Sequence, residues 1–304
     1  MAIDRERLLQ LATFWLRPDF VLRVVARFQK IAGFDRAIAL ASGAFTATIP
    51  LTIFVSAVLP SSQDAADRIV ARYDLKGDGA EAVRDAFSSS ANVETGIGIL
   101  GALILFVTVL SFTRAIQRLF EQTWELPPMS VRNSVNGAKW VGGFAVYLVV
   151  SGTAAASIDD GIQELLAAAI AAPFMAGFLM WSGRLLSANR LTWAELLPYG
   201  IIGGTLLSAY QLGASVYAPH AFNTYSARYG VIGIVLAMVS SLFGFMVVLV
   251  GSTVLGREVR QELDNIKAGV RPSEDEIRKQ WDIVMSAARE RRAMMQAWIE
   301  RHRR

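Results

Sequence analysis

Six stretches of this chain contain no Asp, Glu, Lys or Arg: roughly Ala37 to Pro60, Gly96 to Thr113, Trp140 to Ile158, Leu165 to Gly183, Leu196 to Ala218 and Tyr229 to Gly256, each 18 residues or longer. A helix rising about 1.5 Å per residue needs about 20 apolar residues to cross a hydrocarbon core of about 30 Å. Lipid offers the backbone no hydrogen-bond partners, so runs of this length point to helices; the shorter alternating segments of a barrel are absent. The pattern predicts an all-α, polytopic membrane protein with six transmembrane helices.

The flanks predict further elements. Residues 20 to 34 place Arg23, Arg27 and Lys30 at i, i+4 and i+7, with Val21, Val24, Val25, Phe28 and Ile31 largely elsewhere on the wheel. Two settings fit this amphipathic helix: the inner headgroup layer, with its cations on anionic lipid, or docking on the cytoplasmic helix ends. The 61–95 segment reads as short amphipathic helices (Ile69, Val70, Tyr73, then Val83, Phe87) broken at Lys76-Gly-Asp-Gly79, and serves as a connector or as a lid. After the last stretch, Arg257 to Lys267 extends the helix and Gly269 and Pro272 end it. Ser273 and Glu276 then form a capping box ahead of Ile277, Trp281, Val284 and Ala288. Three regions follow: interfacial amphipathic helices over 1–36, a transmembrane domain over 37–256, and a charged helical tail over 257–304.

Charge orients the bundle. Lys and Arg number seven before the first stretch, four in 114–139, two in 184–195 and twelve after 256, against four in 61–95, none in 159–164 and one in 219–228. Basic residues are retained on the cytoplasmic side, so both termini are expected inside and 61–95 outside. Trp15, Trp124, Trp140, Trp181 and Trp193 fall near the inner boundary, as an interfacial belt would. Topology alone accounts for the net charge of +4, and nucleic acid is not an expected partner. The expected partners are membrane lipids, with anionic headgroups at the cytoplasmic face. Residues 1–36 hold no cleavable apolar core.

Polarity inside the apolar stretches marks candidate chemistry. The first carries Ser42, Gly43, Thr46, Thr48, Pro50, Thr52 and Ser56, and Pro50 is expected to kink it near Thr46 to Ile49; Pro173 does the same in the fourth. Such kinks suit a cavity or gate, or simply packing. Arg114 ends the second stretch, followed by Gln117, Arg118 and Glu121, and Arg184 ends the fourth. Either arginine can hold an anionic headgroup in bidentate fashion or merely mark the boundary. The candidate pathway or headgroup residues are therefore Ser42, Thr46, Pro50, Arg114, Gln117 and Arg184. Small residues recur at Gly96, Gly98 and Gly101, Gly142 and Gly143, Gly200, Gly203, Gly204 and Ser208, and Gly230 and Gly233, where close helix packing is expected.

Catalytic patterns are missing. The chain has no cysteine, its two histidines, His220 and His302, are expected on opposite sides of the membrane, and Asp159-Asp160 reads as a solvated turn. No catalytic residue, metal or cofactor is expected, nor the acid-base groups an enzyme needs.

In order and spacing, Ala41-Ser-Gly-Ala44, Arg114-Ala-Ile-Gln117 leading to Trp124, Leu185 to Pro198 before Gly200, and Tyr229-Gly-Val-Ile-Gly233 resemble the YihY/BrkB family from about Gly33 to Gly256. Where that family closes its last span with Gly-Ala-Glu, this chain has Gly251-Ser-Thr253, so no role for that carboxylate carries over. The resemblance implies a six-helix bacterial inner-membrane protein linked to envelope integrity, with transport of lipid or lipid-linked material in YhjD-like members. Part of the family carried a ribonuclease BN label, for which these residues supply no acid-base pair or metal cluster. The expectation is a non-enzymatic membrane protein that translocates or accommodates an amphiphile; the alternative is a structural or interaction protein organising envelope partners through its cytoplasmic helices.

Overall fold

The computed structural model describes residues 17–58, 95–129, 134–156 and 162–269, with isolated positions between 67 and 85 and at 279 and 281. Trp15, Asp159-Asp160, His302, and Ile277, Val284 and Ala288 of the tail lie outside the described residues, as do the side chain of Pro50 and the surroundings of Gly96 and Gly98. Seven helices are described: α1 (Pro18–Lys30), α2 (Gly33–Val58), α3 (Thr95–Thr123), α4 (Ser134–Ala156), α5 (Ile162–Leu186), α6 (Trp193–Tyr229) and α7 (Val231–Lys267). No strand occurs among the described residues. The chain is all-α there, and α2 to α7 each hold most of one charge-free stretch.

Several helices overrun their apolar stretch. Helix α3 continues through Arg114 to Thr123, and α6 and α7 reach 37 residues each. At about 1.5 Å per residue, 37 residues span about 55 Å, well beyond a hydrocarbon core of about 30 Å. Helix α7 contains the clearest apolar window, with mean hydropathy 2.6, and only 17% of that window is buried. A core helix of a soluble protein hides such a window; here Ile232 is 69% and Leu236 52% exposed. Among the described residues, α7 is the one helix long and apolar enough to cross a membrane by that measure. Outward apolar side chains recur on the others, including Phe106, Val107, Val146, Ile201 and Val216.

The chain divides into two compact units. The larger, Ile31–Arg257, holds α2 to α6 and most of α7. Its helices approach through small residues, as the spacing predicts. A Cβ on Gly204 of α6 would stand 2.7 Å from the Ala172 carbonyl oxygen of α5, and one on Gly203 would stand 2.8 Å from Leu179. Gly256 of α7 lies against the Tyr199 backbone, where any side chain would overlap it. Trp181 of α5 seats on Gly143 of α4, and Trp140 donates from Nε1 to Ser182 Oγ at 2.9 Å. Tyr210 of α6 donates to the Ser241 carbonyl of α7 at 2.6 Å.

Helix α6 starts on a capping box: the Glu195 N–H donates to Thr192 Oγ1 at 3.3 Å, and the Thr192 N–H donates to the Glu195 carboxylate at 2.7 Å. A single residue, Gly230 at φ 57°, turns the chain from α6 into α7. In the 61–95 segment, the expected break is present at Gly77, with φ 55° and helical residues on either side at 67, 70, 71, 80, 81, 84 and 85. Val70 and Ala80 are buried with Phe222 of α6 against them, and the Lys76 N–H donates to Asn223 Oδ1 at 3.3 Å.

The smaller unit, Met1–Lys30 with Glu258–Arg304, unites α1 with the last turns of α7. Pro18 opens α1 with its φ already helical, Asp19 complements the dipole at the start, and Arg27 and Lys30 complement it at the end. Arg17 Nη2 lies 2.6 Å from Glu262 Oε1, Arg23 Nη2 lies 2.6 Å from Glu262 Oε2, and Arg27 Nε pairs with Glu258. Both glutamates are 2% exposed and Arg17 is 3%. Of the two settings open for α1, its arginines take the docked one: Arg23 and Arg27 meet carboxylates of α7. Removing one member of a buried pair strands its partner, at a cost of about 3–5 kcal/mol. Glu262→Ala is accordingly expected to lower the thermal unfolding midpoint of the detergent-solubilised protein and to open α1 to trypsin at Arg23 and Arg27, whereas Asp264→Ala leaves both unchanged.

Candidate functional site at the arginine-bearing helix ends

Charged side chains of the larger unit gather where the apolar stretches stop. On α3, Thr113, Gln117 and Glu121 fall at i, i+4 and i+8 and are buried, while Arg114 and Arg118 are exposed. One helical face thus hides its polar groups among neighbours and the other presents cations. Arg36 of α2 donates from Nε to the Ile31 carbonyl at 2.7 Å and from Nη2 to Gln122 of α3. Burial first, and the like charge of Arg118 second, lower the Arg36 pKa; at a guanidinium the charge survives such a shift. Arg118 has no ion-pair partner among the described residues.

Two loops are tied together beside these cations. Glu121 accepts from the Met129 N–H at 2.7 Å and lies 3.5 Å from Arg190 Nη2. Arg190 also donates to the Pro127 carbonyl at 2.5 Å and to the Ser187 carbonyl at 2.8 Å. Glu125, Ala188 and Asn189 hold φ of 54°, 55° and 59°, a left-handed backbone that three non-glycine residues keep only where the surroundings fix it.

The sequence candidates distribute as follows. Ser42 and Thr46 are exposed on one face of α2, and the Thr46 hydroxyl donates back to the Ser42 carbonyl at 2.9 Å. Helix α2 runs through Pro50, and α5 through Pro173. Arg114 is exposed and Gln117 is 8% exposed on the adjoining face of α3. Arg184 serves its own loop, donating to the Leu191 carbonyl at 3.1 Å and lying 5.5 Å over the Trp193 ring. The structure therefore brings Arg36, Arg118 and Gln122 together, and separately Glu121 and Arg190. The sequence singled out none of Arg36, Gln122 and Arg190 for a site; the available signal for Arg36 was its place one residue before a charge-free stretch.

Several buried donors lack an acceptor among the described residues, Trp124 Nε1 and Arg257 Nε among them. Trp124 packs with Phe120 at 5.3 Å and with Tyr199 at 6.0 Å between ring centroids. Tyr199 in turn abuts Gly256, the residue before Arg257. An unpaired buried donor costs about 1–3 kcal/mol, and more when charged. Trp124 directly follows the end of α3, and Arg257 follows the last charge-free stretch within α7; an acceptor oxygen from outside the protein relieves that cost.

Long helices with exposed apolar flanks, closed by small-residue contacts and ended by arginines, define a helical membrane protein. The comparisons agree: the sequence model of the family described as Virulence factor BrkB matches residues 24–274, and the chain belongs to that YihY/BrkB family. No curated protein and no solved structure matches it.

The Glu121–Arg190 tie has a measurable consequence. Arg190→Ala removes the donor to two carbonyls and leaves the Glu121 carboxylate, 11% exposed, without its cation. A loss of about 1–3 kcal/mol in stability is expected, read as a lower unfolding temperature together with faster proteolysis within 124–129. Arg228→Ala, on an exposed residue outside the tie, serves as the unchanged control.

Proposed function

We propose that the chain is a six-span, non-enzymatic protein of the bacterial cytoplasmic membrane, with both termini inside, that supports the envelope by accommodating or translocating an amphiphile with an anionic headgroup. Supporting the span count, each of α2 to α7 coincides with a charge-free stretch, and basic residues alternate between dense and sparse flanks in the order six crossings require. Supporting the ligand, the observation that carries the reading is that Trp124 Nε1, just past the end of α3, and Arg257 Nε, directly after the last charge-free stretch, are buried donors without acceptors among the described residues. Phosphate oxygens suit a guanidinium, which binds them through two parallel N–H donors, and an indole N–H adds a third. Arg118 and Arg36 supply further positive charge, and Arg114 extends it by one turn of α3. No step in this reading requires bond making.

A second reading, an interaction protein acting through its terminal helices, draws support from the buried pairing of Arg17, Arg23 and Arg27 with Glu258 and Glu262, which fixes a charged unit of its own. Removing residues 258–304, which takes away Glu258 and Glu262 and keeps Arg257, separates the two readings: envelope protection survives under the first and is lost under the second.

Lipids co-purifying with the protein test the ligand. Native mass spectrometry of wild type extracted in mild detergent is expected to show retained anionic lipid, with retention falling about 10-fold or more in Arg257→Gln and less in Trp124→Phe, as loss of a hydrogen bond to a charged group predicts. Vesicles carrying the wild type are expected to exchange labelled anionic lipid between leaflets faster than vesicles with Arg257→Gln. Equal retention and equal exchange in wild type and variants contradict the proposal.

A further inference from the structure

Helix α1 uses its charges inside the protein and leaves part of its apolar band outside. Arg17, Arg23 and Arg27 meet Glu258 and Glu262, and Arg17 and Arg23 lie 6.0 Å and 5.8 Å from the Phe20 ring, itself 5% exposed. Turning that edge inward leaves Val21 42%, Leu22 63% and Val25 45% exposed, at i, i+1 and i+4 along the same side. A helix placed in water does the reverse, covering its apolar band and showing its arginines.

The position of the two glutamates identifies what covers this band. Glu258 and Glu262 follow Gly256, the end of the last charge-free stretch, by two and six residues within α7. At about 1.5 Å per residue they stand about 3 Å and 9 Å beyond the apolar boundary. A headgroup layer is about 5–7 Å thick on each side of the hydrocarbon core, so Glu258 falls within it and Glu262 just beyond its outer edge, and the ion pairs hold α1 at that level. Carboxylates facing an anionic leaflet are repelled unless they are neutralised; three arginines on two glutamates remove that repulsion.

We infer that α1 is a membrane-surface helix, fixed at headgroup depth by the Arg17/Arg23/Arg27–Glu258/Glu262 network, with Val21, Leu22 and Val25 inserted among the lipids of the leaflet at that end of α7. This rests on the reading of α7 as a crossing helix. Arg23 and Arg27 bind carboxylates rather than lipid phosphates, so insertion is apolar and independent of anionic lipid.

The absence of cysteine allows a direct test. Single cysteines at Leu22, Val25, Leu236 and Asp264 carry a nitroxide in the full-length protein, reconstituted in nanodiscs of phosphatidylcholine alone and of phosphatidylcholine with phosphatidylglycerol. Collision with oxygen, which favours lipid, is compared with collision with a water-soluble nickel chelate. Leu22→Cys and Val25→Cys are expected to favour oxygen in both lipids, as does Leu236→Cys within the span, while Asp264→Cys favours nickel. If positions 22 and 25 favour nickel, or are shielded from both reagents by protein, while Leu236→Cys favours oxygen, the inference is overturned and the crossing helix stands. If Leu236→Cys also favours nickel, both fail. Oxygen preference at 22 and 25 that appears only with phosphatidylglycerol overturns the apolar mode of attachment.

Discussion

A helix that is apolar on every side has no face to offer water, and α7 buries only 17% of its most apolar window within the protein. The exposed remainder needs a solvent as apolar as itself, and the hydrocarbon core of a bilayer is that solvent. Everything else in the structure follows from where this solvent stops. Helices overrun it into polar turns, arginines collect at its edges, and Glu121, Glu258 and Glu262 meet cations there.

Inside lipid the hydrophobic effect no longer draws helices together, so contact depends on close approach and on a few hydrogen bonds. The larger unit meets this need with Gly203 and Gly204 against α5, Gly256 against Tyr199, and aromatic seats such as Trp181 on Gly143. The hydroxyls of Thr46, Thr48, Thr108, Ser111 and Thr205 bond to carbonyls one turn back within their own helices. A polar residue in an apolar stretch is thereby satisfied locally, without a cavity or a partner helix. That chemistry explains why Ser42, Thr46 and Thr48 are compatible with a lipid-exposed helix as well as with a pathway.

The helices were legible because freedom from charge over 18 or more residues is a strong signal, and each stretch lies largely within one described helix. Their ends were less so. Helix α3 carries on past Arg114 and α6 past Ala218, because amphipathic turns continue a helix once packing supports it on one side. The turn at Gly77 and the capping box at Thr192 are local chemistry, and local chemistry shows in sequence for the turn, where Lys76-Gly-Asp-Gly79 announced it. Pairing over long separations does not show. Arg23 with Glu262, Arg36 with Gln122 and Glu121 with Arg190 join residues 239, 86 and 69 positions apart. For Arg23 the spacing left lipid and docking both open, and for Arg36 and Arg190 it pointed to no partner. Orphaned donors are still less visible, since Trp124 and Arg257 differ from their neighbours only by what fails to surround them.

The central claim is the threading of six helices through one bilayer, and labelling from outside tests it most directly. Single cysteines at Glu81, Pro128, Arg228 and Ala268, all exposed, are placed in the cysteine-free chain and treated in intact spheroplasts with a thiol reagent that does not cross membranes. Six crossings predict labelling at 81 and 228 and protection at 128 and 268 until the membrane is opened. Labelling at 128 together with 81 before the membrane is opened would contradict the account, because the chain would not cross between those positions.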